Sequence, residues 1–389
     1  MKNARVAAAI SALLLAFAAN IHGQDVKVGG QIRPRTELRD NSTTGDAFTT
    51  MRVRLNLLAA LDPRVRAFVQ AQDVRMWGEE NSTTSNTDRI DLHQGYIELG
   101  DAVHSNTRVG RQELVYGEER LVGASDWGQQ GRALDGVRAH LVTKHATIDG
   151  FGFQIADAGA PGKTMDDRFF GAYGTVPGKC VSLDAYLLRN QNSAAHATRQ
   201  NTVGTRIYGT HGMLLYRAEL ALQRGTRNGF DTKAGMSTAY VGVTRGRGQA
   251  LLWVDHLSGD SNPADSVTRV FDTVYATNHK FYGIADIFTN IPTHTANRGL
   301  NDYAIKTTFR ARPDLTFNGD VHSFRAAAAS GLKSAQFGNE LDLIGTYRYS
   351  PKLTVLAGAA RFHAGAGLRE VLPATSSQTF TYLMLNAAF

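Results

Sequence analysis

The chain has 389 residues, 42% of them hydrophobic and 20% charged, with a formal net charge of +7. This balance excludes wholesale disorder, and the one cysteine, Cys180, excludes an internal disulfide framework and a multi-cysteine metal site. The basic residues are spread out rather than gathered in runs, which argues against a nucleic-acid partner and leaves anionic lipid or an anionic solute.

Lys2 and Arg5 precede an apolar run, residues 6–19, of the length of a secretory h-region. A cleaved signal peptide over 1–23 is therefore expected, with residues 24–389 as one domain, because no Ser/Gly- or Pro-rich linker divides them. No later run reaches the ~20 apolar residues of a membrane helix, so the mature chain is either an exported soluble protein or an outer-membrane barrel.

From Asp25 onward the chain alternates apolar and polar residues in short stretches. The first three predicted strands, 26–39, 48–61 and 64–76, each place arginines or glutamines on one parity and aliphatics on the other. Further strands are predicted near 89–99, 107–116, 132–142, 146–156, 168–176, 179–190, 202–210, 213–224, 232–245, 249–258, 301–312, 315–325, 337–349, 353–363 and 379–389. The connections alternate short and long. The short ones centre on Pro63, Gly100-Asp101, Lys144, Pro177-Gly178, His211-Gly212, Gly246, Pro313 and Pro351, and the longest of the others runs over 259–300. Short turns on one rim and long loops on the other is the pattern of a bacterial outer-membrane barrel. The fold class expected is all-β, a transmembrane antiparallel β-barrel of 18 strands, or 16 if register errors among the poorly alternating stretches near 89–99, 146–156 and 168–176 have inflated the count.

If the apolar parity faces lipid, the other parity faces a wet interior. A charged side chain in lipid costs ~2–4 kcal/mol at the midplane, so parity assigns faces. It places Arg33, Arg35, Arg39, Arg52, Arg54, Arg66, Arg111, Arg138, Arg206, Arg217, Lys306, Arg310 and Arg348 inside. The acids on the same parity are fewer: Glu37, Glu113, Asp184, Glu219, Asp320, Glu340 and Asp342. A barrel of this size leaves an aqueous lumen, and a basic excess there favours anions.

Catalysis and metal chemistry have little support. His140, His256, His322 and His363 could serve a Ser-His-acid arrangement, but no G-x-S-x-G occurs. Asp260, Asn262 and Asp265 could offer oxygens to a structural calcium ion, without the spacing or closing Glu of a full calcium loop. No cofactor is otherwise expected.

The run V-G-R-Q-E-L-V-Y-G-E-E-R-L-V-G (109–123), followed by D-W-G-Q-Q-G-R-A-L-D-G-V-R (126–138), resembles the signature of the bacterial alginate export (alginate porin-like) outer-membrane family. F-D-T-V-Y-A-T-N-H-K-F-Y-G (271–283) and L-H-Q-G-Y-I-E-L (92–99) resemble other parts of it. The resemblance implies a monomeric 18-stranded barrel whose arginine-lined lumen passes an anionic polysaccharide. It also implies that Arg111 and Arg138, on the motif strands, contact the anion. Arg52, Arg54, Arg310 and Arg348 are candidates on parity alone. The function expected is passive outer-membrane conduction of an acidic polysaccharide or oligosaccharide such as alginate. The alternatives are an anion-selective uptake porin for small organic acids and, further off, a barrel enzyme or adhesion platform. Lipopolysaccharide and other outer-membrane lipid, and the barrel assembly machinery, are the expected partners.

Overall fold

The computed structural model describes residues 25–40, 45–80, 82, 90–262 and 264–389. The expected signal peptide and its cleavage site, and the start of the strand expected from 89, lie outside them. Eighteen long strands form the wall. These are β1 (Asp25–Asp40), β2 (Gly45–Asp62), β3 (Val65–Met76), β4 (Asp91–Asp101), β5 (Ser105–Gln112), β6 (Leu134–Val142), β7 (Thr147–Ala156), β8 (Asp167–Val176) and β9 (Val181–Asn192). The second half adds β10 (Arg199–His211), β11 (Leu214–Arg227), β12 (Phe230–Arg245), β13 (Gly248–Leu257), β14 (Leu300–Arg312), β15 (Leu315–Arg325), β16 (Gln336–Ser350), β17 (Leu353–Ala364) and β18 (Gln378–Ala388).

Each strand pairs antiparallel with the next, and β18 returns to β1 from Gln31↔Ala388 to Asp40↔Thr379. The sheet closes, so no edge is left with unpaired backbone groups, as a wall in lipid requires. All three poorly alternating stretches are strands, which settles the count at 18. A two-residue segment, Val267–Thr268, runs parallel to the start of β12 outside this ring. The helices are short, α1 (Ile291–His294) and α2 (Ala366–Val371), and none in the described residues is long and apolar enough to cross a membrane.

The outward parity is apolar, as expected: Val28, Val203, Leu222, Leu252, Ile305, Leu343 and Leu383 are all exposed. The inward parity departs from expectation in the loop-side half. There Phe153, Phe169, Phe324, Phe362 and Phe380 point inward and are buried. They pack against residues that two long loops carry into the barrel, among them Leu121, Val122, Phe271, Phe281, Tyr282, Ile284 and Phe288. Each large apolar side chain buried this way contributes roughly 1.5–3 kcal/mol. The loop-side half therefore holds a packed core, and polar residues dominate the inward face only outside it.

Candidate functional site

The two loops that fill the barrel are 113–133, between β5 and β6, and 258–299, between β13 and β14. They are bound to each other through the backbone. Gly123 N–H donates to Tyr275 O (2.8 Å), Tyr275 N–H to Leu121 O (3.0 Å) and Thr277 N–H to Glu119 O (2.9 Å). Arg120 locks the pair from below. Its guanidinium, 2% exposed, lies 2.8 Å from the fully buried Asp255 of β13 and donates to the Tyr282 hydroxyl at 3.2 Å. Its Cζ sits 4.0 Å from the Phe281 ring centroid. Burial pulls the Arg120 pKa down, but Asp255 together with Tyr282, Glu219 and Glu118 outweighs it, and the group is held charged.

The far end of the second loop rests on β16, two strands beyond β14. Ala285 N–H donates to Glu340 at 2.8 Å and Ile284 N–H to Asp342 at 3.2 Å. Gly283 makes this approach possible: its φ is +80°, and a Cβ there would lie 2.4 Å from the Glu340 carboxylate. Beyond it, Asp286 accepts from the Trp127 indole N–H (3.1 Å) and pairs with His279 (2.6 Å). Trp127 stacks on His279 at 3.9 Å, and the Arg35 guanidinium carbon lies 4.0 Å from the Trp127 ring centroid.

The strongest concentration of charge lies where loop 113–133 meets β1 and β2. Arg33, Arg35, Arg52 and Arg54 alternate with lipid-facing Ile32, Val53 and Leu55, so all four point inward, and all four are buried. The register sets Arg33 directly opposite Arg52. Like charges so placed repel, and the compensation comes from the loop. Asp126 presents Oδ2 to Arg33 Nη1 at 3.1 Å, and Oδ1 to Arg52 Nη1 at 2.9 Å and to Arg54 Nη1 at 3.6 Å. Its side chain is nevertheless 55% exposed, so this carboxylate meets three guanidiniums at a water-accessible surface. Burial of its remainder pushes the Asp126 carboxyl up, but Arg52, Arg33 and Arg54 outweigh that and hold it below the ordinary 3.8. The arginines are also fixed individually. Arg52 donates twice to Gln31 Oε1 (3.0 and 2.6 Å), and Arg54 donates to Gln72 Oε1 (2.6 Å) and pairs with Glu113 (3.3 Å). A second cationic group, Arg206 and Arg217, faces Glu118 of the same loop, with Arg206 also 2.6 Å from Asp184.

Of the residues singled out from sequence, Arg52 and Arg54 thus come together, with Arg33 and Arg35. Arg138 faces inward but stands apart, 3.2 Å from Asp149 and from His140 Nδ1. Arg310 and Arg348 share the inward parity at the turn-side ends of β14 and β16, where both are exposed. Arg111 is a correction. It shares its parity with lipid-facing Val109, lies on the outer surface, and pairs there with Asp135 at 2.7 Å. The strand ends at Gln112 instead of continuing to 116, so Leu114 and Tyr116, of the opposite parity to Arg111, belong to the loop and pack inside. The oxygens considered for calcium are engaged by a guanidinium: Arg269 lies 3.4 Å from Asp260 and 2.8 Å from Asp265, and Asn262 donates to Asp265. Asp320, His322 and Asp342 also cluster closely enough for a metal ion. There the Lys306 ammonium already lies 3.3 Å from Asp320 and 3.4 Å from His322 Nε2. Asp126, Glu118 and Arg120 carry the site, and sequence reasoning marked their loop as motif-like without giving them roles.

The model of the alginate export family matches residues 21–381. The chain belongs to that family. Among curated proteins no relative matches it. Solved structures with the same fold include three Pseudomonas aeruginosa outer-membrane proteins. OccK3 (OpdO) is 14% identical with a TM-score of 0.67, and 94% of this chain covers 96% of that one. OccK2 (OpdF), solved with glucuronate, is 14% identical with a TM-score of 0.65, over 94% of this chain and 98% of its own. OpdK, solved with vanillate, is 13% identical with a TM-score of 0.64, again over 94% and 98%. At these identities the likeness is one of fold. With the family, it makes this protein an outer-membrane barrel channel.

Proposed function

We propose that this family member is a passive channel for anionic solutes, with acidic polysaccharide or oligosaccharide such as alginate as its cargo. The observation that carries the reading is the convergence of Arg33, Arg52 and Arg54 on the half-exposed Asp126 carboxylate. A uronate carboxylate has the same charge and geometry as Asp126. It can exchange with Asp126 on the same guanidiniums, since such charge-assisted bonds are strong yet reversible where water reaches them. Arg138, Arg310 and Arg348 extend the cationic lining away from this point. Asp126 thus acts as a tethered competitor that keeps the arginines paired between passages.

A second reading, conduction of small organic acids, is favoured by the packed loops, which leave little room for a bulky chain in the loop-side half. The glucuronate and vanillate held by two relatives of this fold are acids of that size. Planar-bilayer conductance of the refolded chain under a salt gradient separates the two. The polysaccharide reading expects an anion-selective reversal potential and block by oligouronates that weakens in Arg52→Ala and Arg54→Ala. Anion selectivity with block by monomeric acids only would replace it with the second reading, and cation selectivity would end both.

A further inference from the structure

The outer surface of the loop-side rim carries charge that conduction does not use. We infer that the rim over β8–β12 is a binding site for the phosphorylated disaccharide head of a lipid A-type glycolipid. Arg168 (β8), Arg189 (β9), Arg199 (β10), Arg224 (β11) and Lys233 (β12) are all exposed. They share their strands' outward parity with lipid-facing Phe170, Leu187, Val203, Leu222 and Val241. All five sit on the rim that carries the long loops, which is the outer-leaflet side of such a barrel, Arg224 and Lys233 flanking a tight two-residue turn there.

The register gathers them into a patch. Arg189 pairs with Asn201, Asn201 with Arg224, and Arg224 with Lys233, while Arg168 pairs with Gln191 and Gln191 with Arg199 in the next row. Strands are about 4.8 Å apart, so Arg189 and Arg224 stand roughly 10 Å from each other with an amide between them. This lattice is short of counter-charge. Arg199 and Lys233 have no side-chain partner among the described residues. Arg189 donates only to Gln191 (3.1 Å), and Arg224 only to the backbone carbonyls of Gln223 and Ala234. Arg168 alone has an acid, Asp166 at 3.4 Å, and the other exposed acid at these strand ends is Asp231. Two other outward cations on the rim bring their own acid, Arg75 at 2.5 Å from Asp73 and Arg111 at 2.7 Å from Asp135, while Arg325 and Arg361 lack an acid among the described residues but stand in different rows on another sector.

Guanidiniums at the membrane interface with free donors match phosphate oxygens, which they bind bidentately. Two phosphates carried on one rigid sugar pair meet cations spaced across three strands better than a single-phosphate phospholipid does. Amide groups at Gln191 and Asn201 suit the sugar hydroxyls between them, and the aliphatic band below suits the acyl chains.

Native mass spectrometry of the full-length protein in detergent tests this with three probes: diphosphoryl lipid A, its dephosphorylated form, and phosphatidylglycerol. The wild type is expected to retain diphosphoryl lipid A at least about tenfold more strongly than the other two, with retention falling as salt rises. The combined variant Arg189→Gln, Arg199→Gln, Arg224→Gln is expected to lose about tenfold. The pair Arg325→Gln, Arg361→Gln, on another sector of the outer rim, should retain it. Undiminished retention by the triple variant, equal binding of phosphatidylglycerol, or equal loss in the control pair would overturn the site. Should the triple variant not fold, salt-insensitive retention by the wild type would overturn it equally. None of these outcomes depends on what the channel conducts.

Discussion

Asp126→Asn keeps the shape of the loop tip and removes its charge. In the wild type an entering anion meets three guanidiniums already facing a carboxylate, at 2.9, 3.1 and 3.6 Å. Two unit charges 4 Å apart interact by about 1 kcal/mol in bulk water and about 4 kcal/mol at an effective dielectric of 20. The 55% exposure of Asp126 places the site near the watery end, so about 1–2 kcal/mol of competition disappears, a factor of roughly 5–30 in anion occupancy. In planar bilayers Asp126→Asn should therefore block at oligouronate concentrations roughly 5–30-fold lower and shift the reversal potential further toward anions. Acid should reproduce the shift in reversal potential in the wild type, read with chloride as the anion because a uronate carboxyl protonates in the same range. The carboxyl is held below 3.8, so the pairing is complete above that pH and is lost as the pH falls through the depressed value. Asp126→Asn should lack this Asp126-linked change in chloride selectivity over that window. Unchanged block in Asp126→Asn, or weaker block, would mean that Asp126 helps to bind the anion or never competes with it, and the exchange argument would fail.

Other residues give sharper structural tests. Gly283→Ala places a methyl group against Glu340 in a backbone conformation that disfavours any side chain; it should release the second loop from the wall and raise single-channel conductance, and an unaltered current would deny that this contact holds the loop. Arg120→Met leaves the fully buried Asp255 unpaired, a loss of about 3–5 kcal/mol; the midpoint of the heat-induced gel-mobility shift should fall, and adding Asp255→Leu should restore most of it. Arg111→Ala should leave conductance and oligouronate block unchanged, because Arg111 sits on the outer surface with Asp135; altered block would return it to the interior.

What the sequence disclosed, and what it hid, follows from which forces act locally. Lipid enforces parity residue by residue, so most strands could be read from alternation and the turns between them; that over 315–325 is found with those bounds. Parity misleads once a loop supplies an apolar environment on the inner side. Phe153, Phe169 and Phe380 break the polar-inside rule because Tyr275, Phe271 and their neighbours come in to cover them. The same effect reversed Arg111, since Leu114 and Tyr116 extend its pattern while belonging to a loop. Counter-charges were hidden for a related reason. Arg33 finds Asp126 across 93 residues and Arg217 finds Glu118 across 99, pairings set by the loop's path and not by any spacing. A basic excess counted along strands therefore overstates the free charge of the barrel. The distinction that matters is between acids that can yield and acids that cannot. Asp255 is fully buried against Arg120 and fixes the loops in place, whereas Asp126 is half in water, and only there can a solute's carboxylate take over from the protein's own.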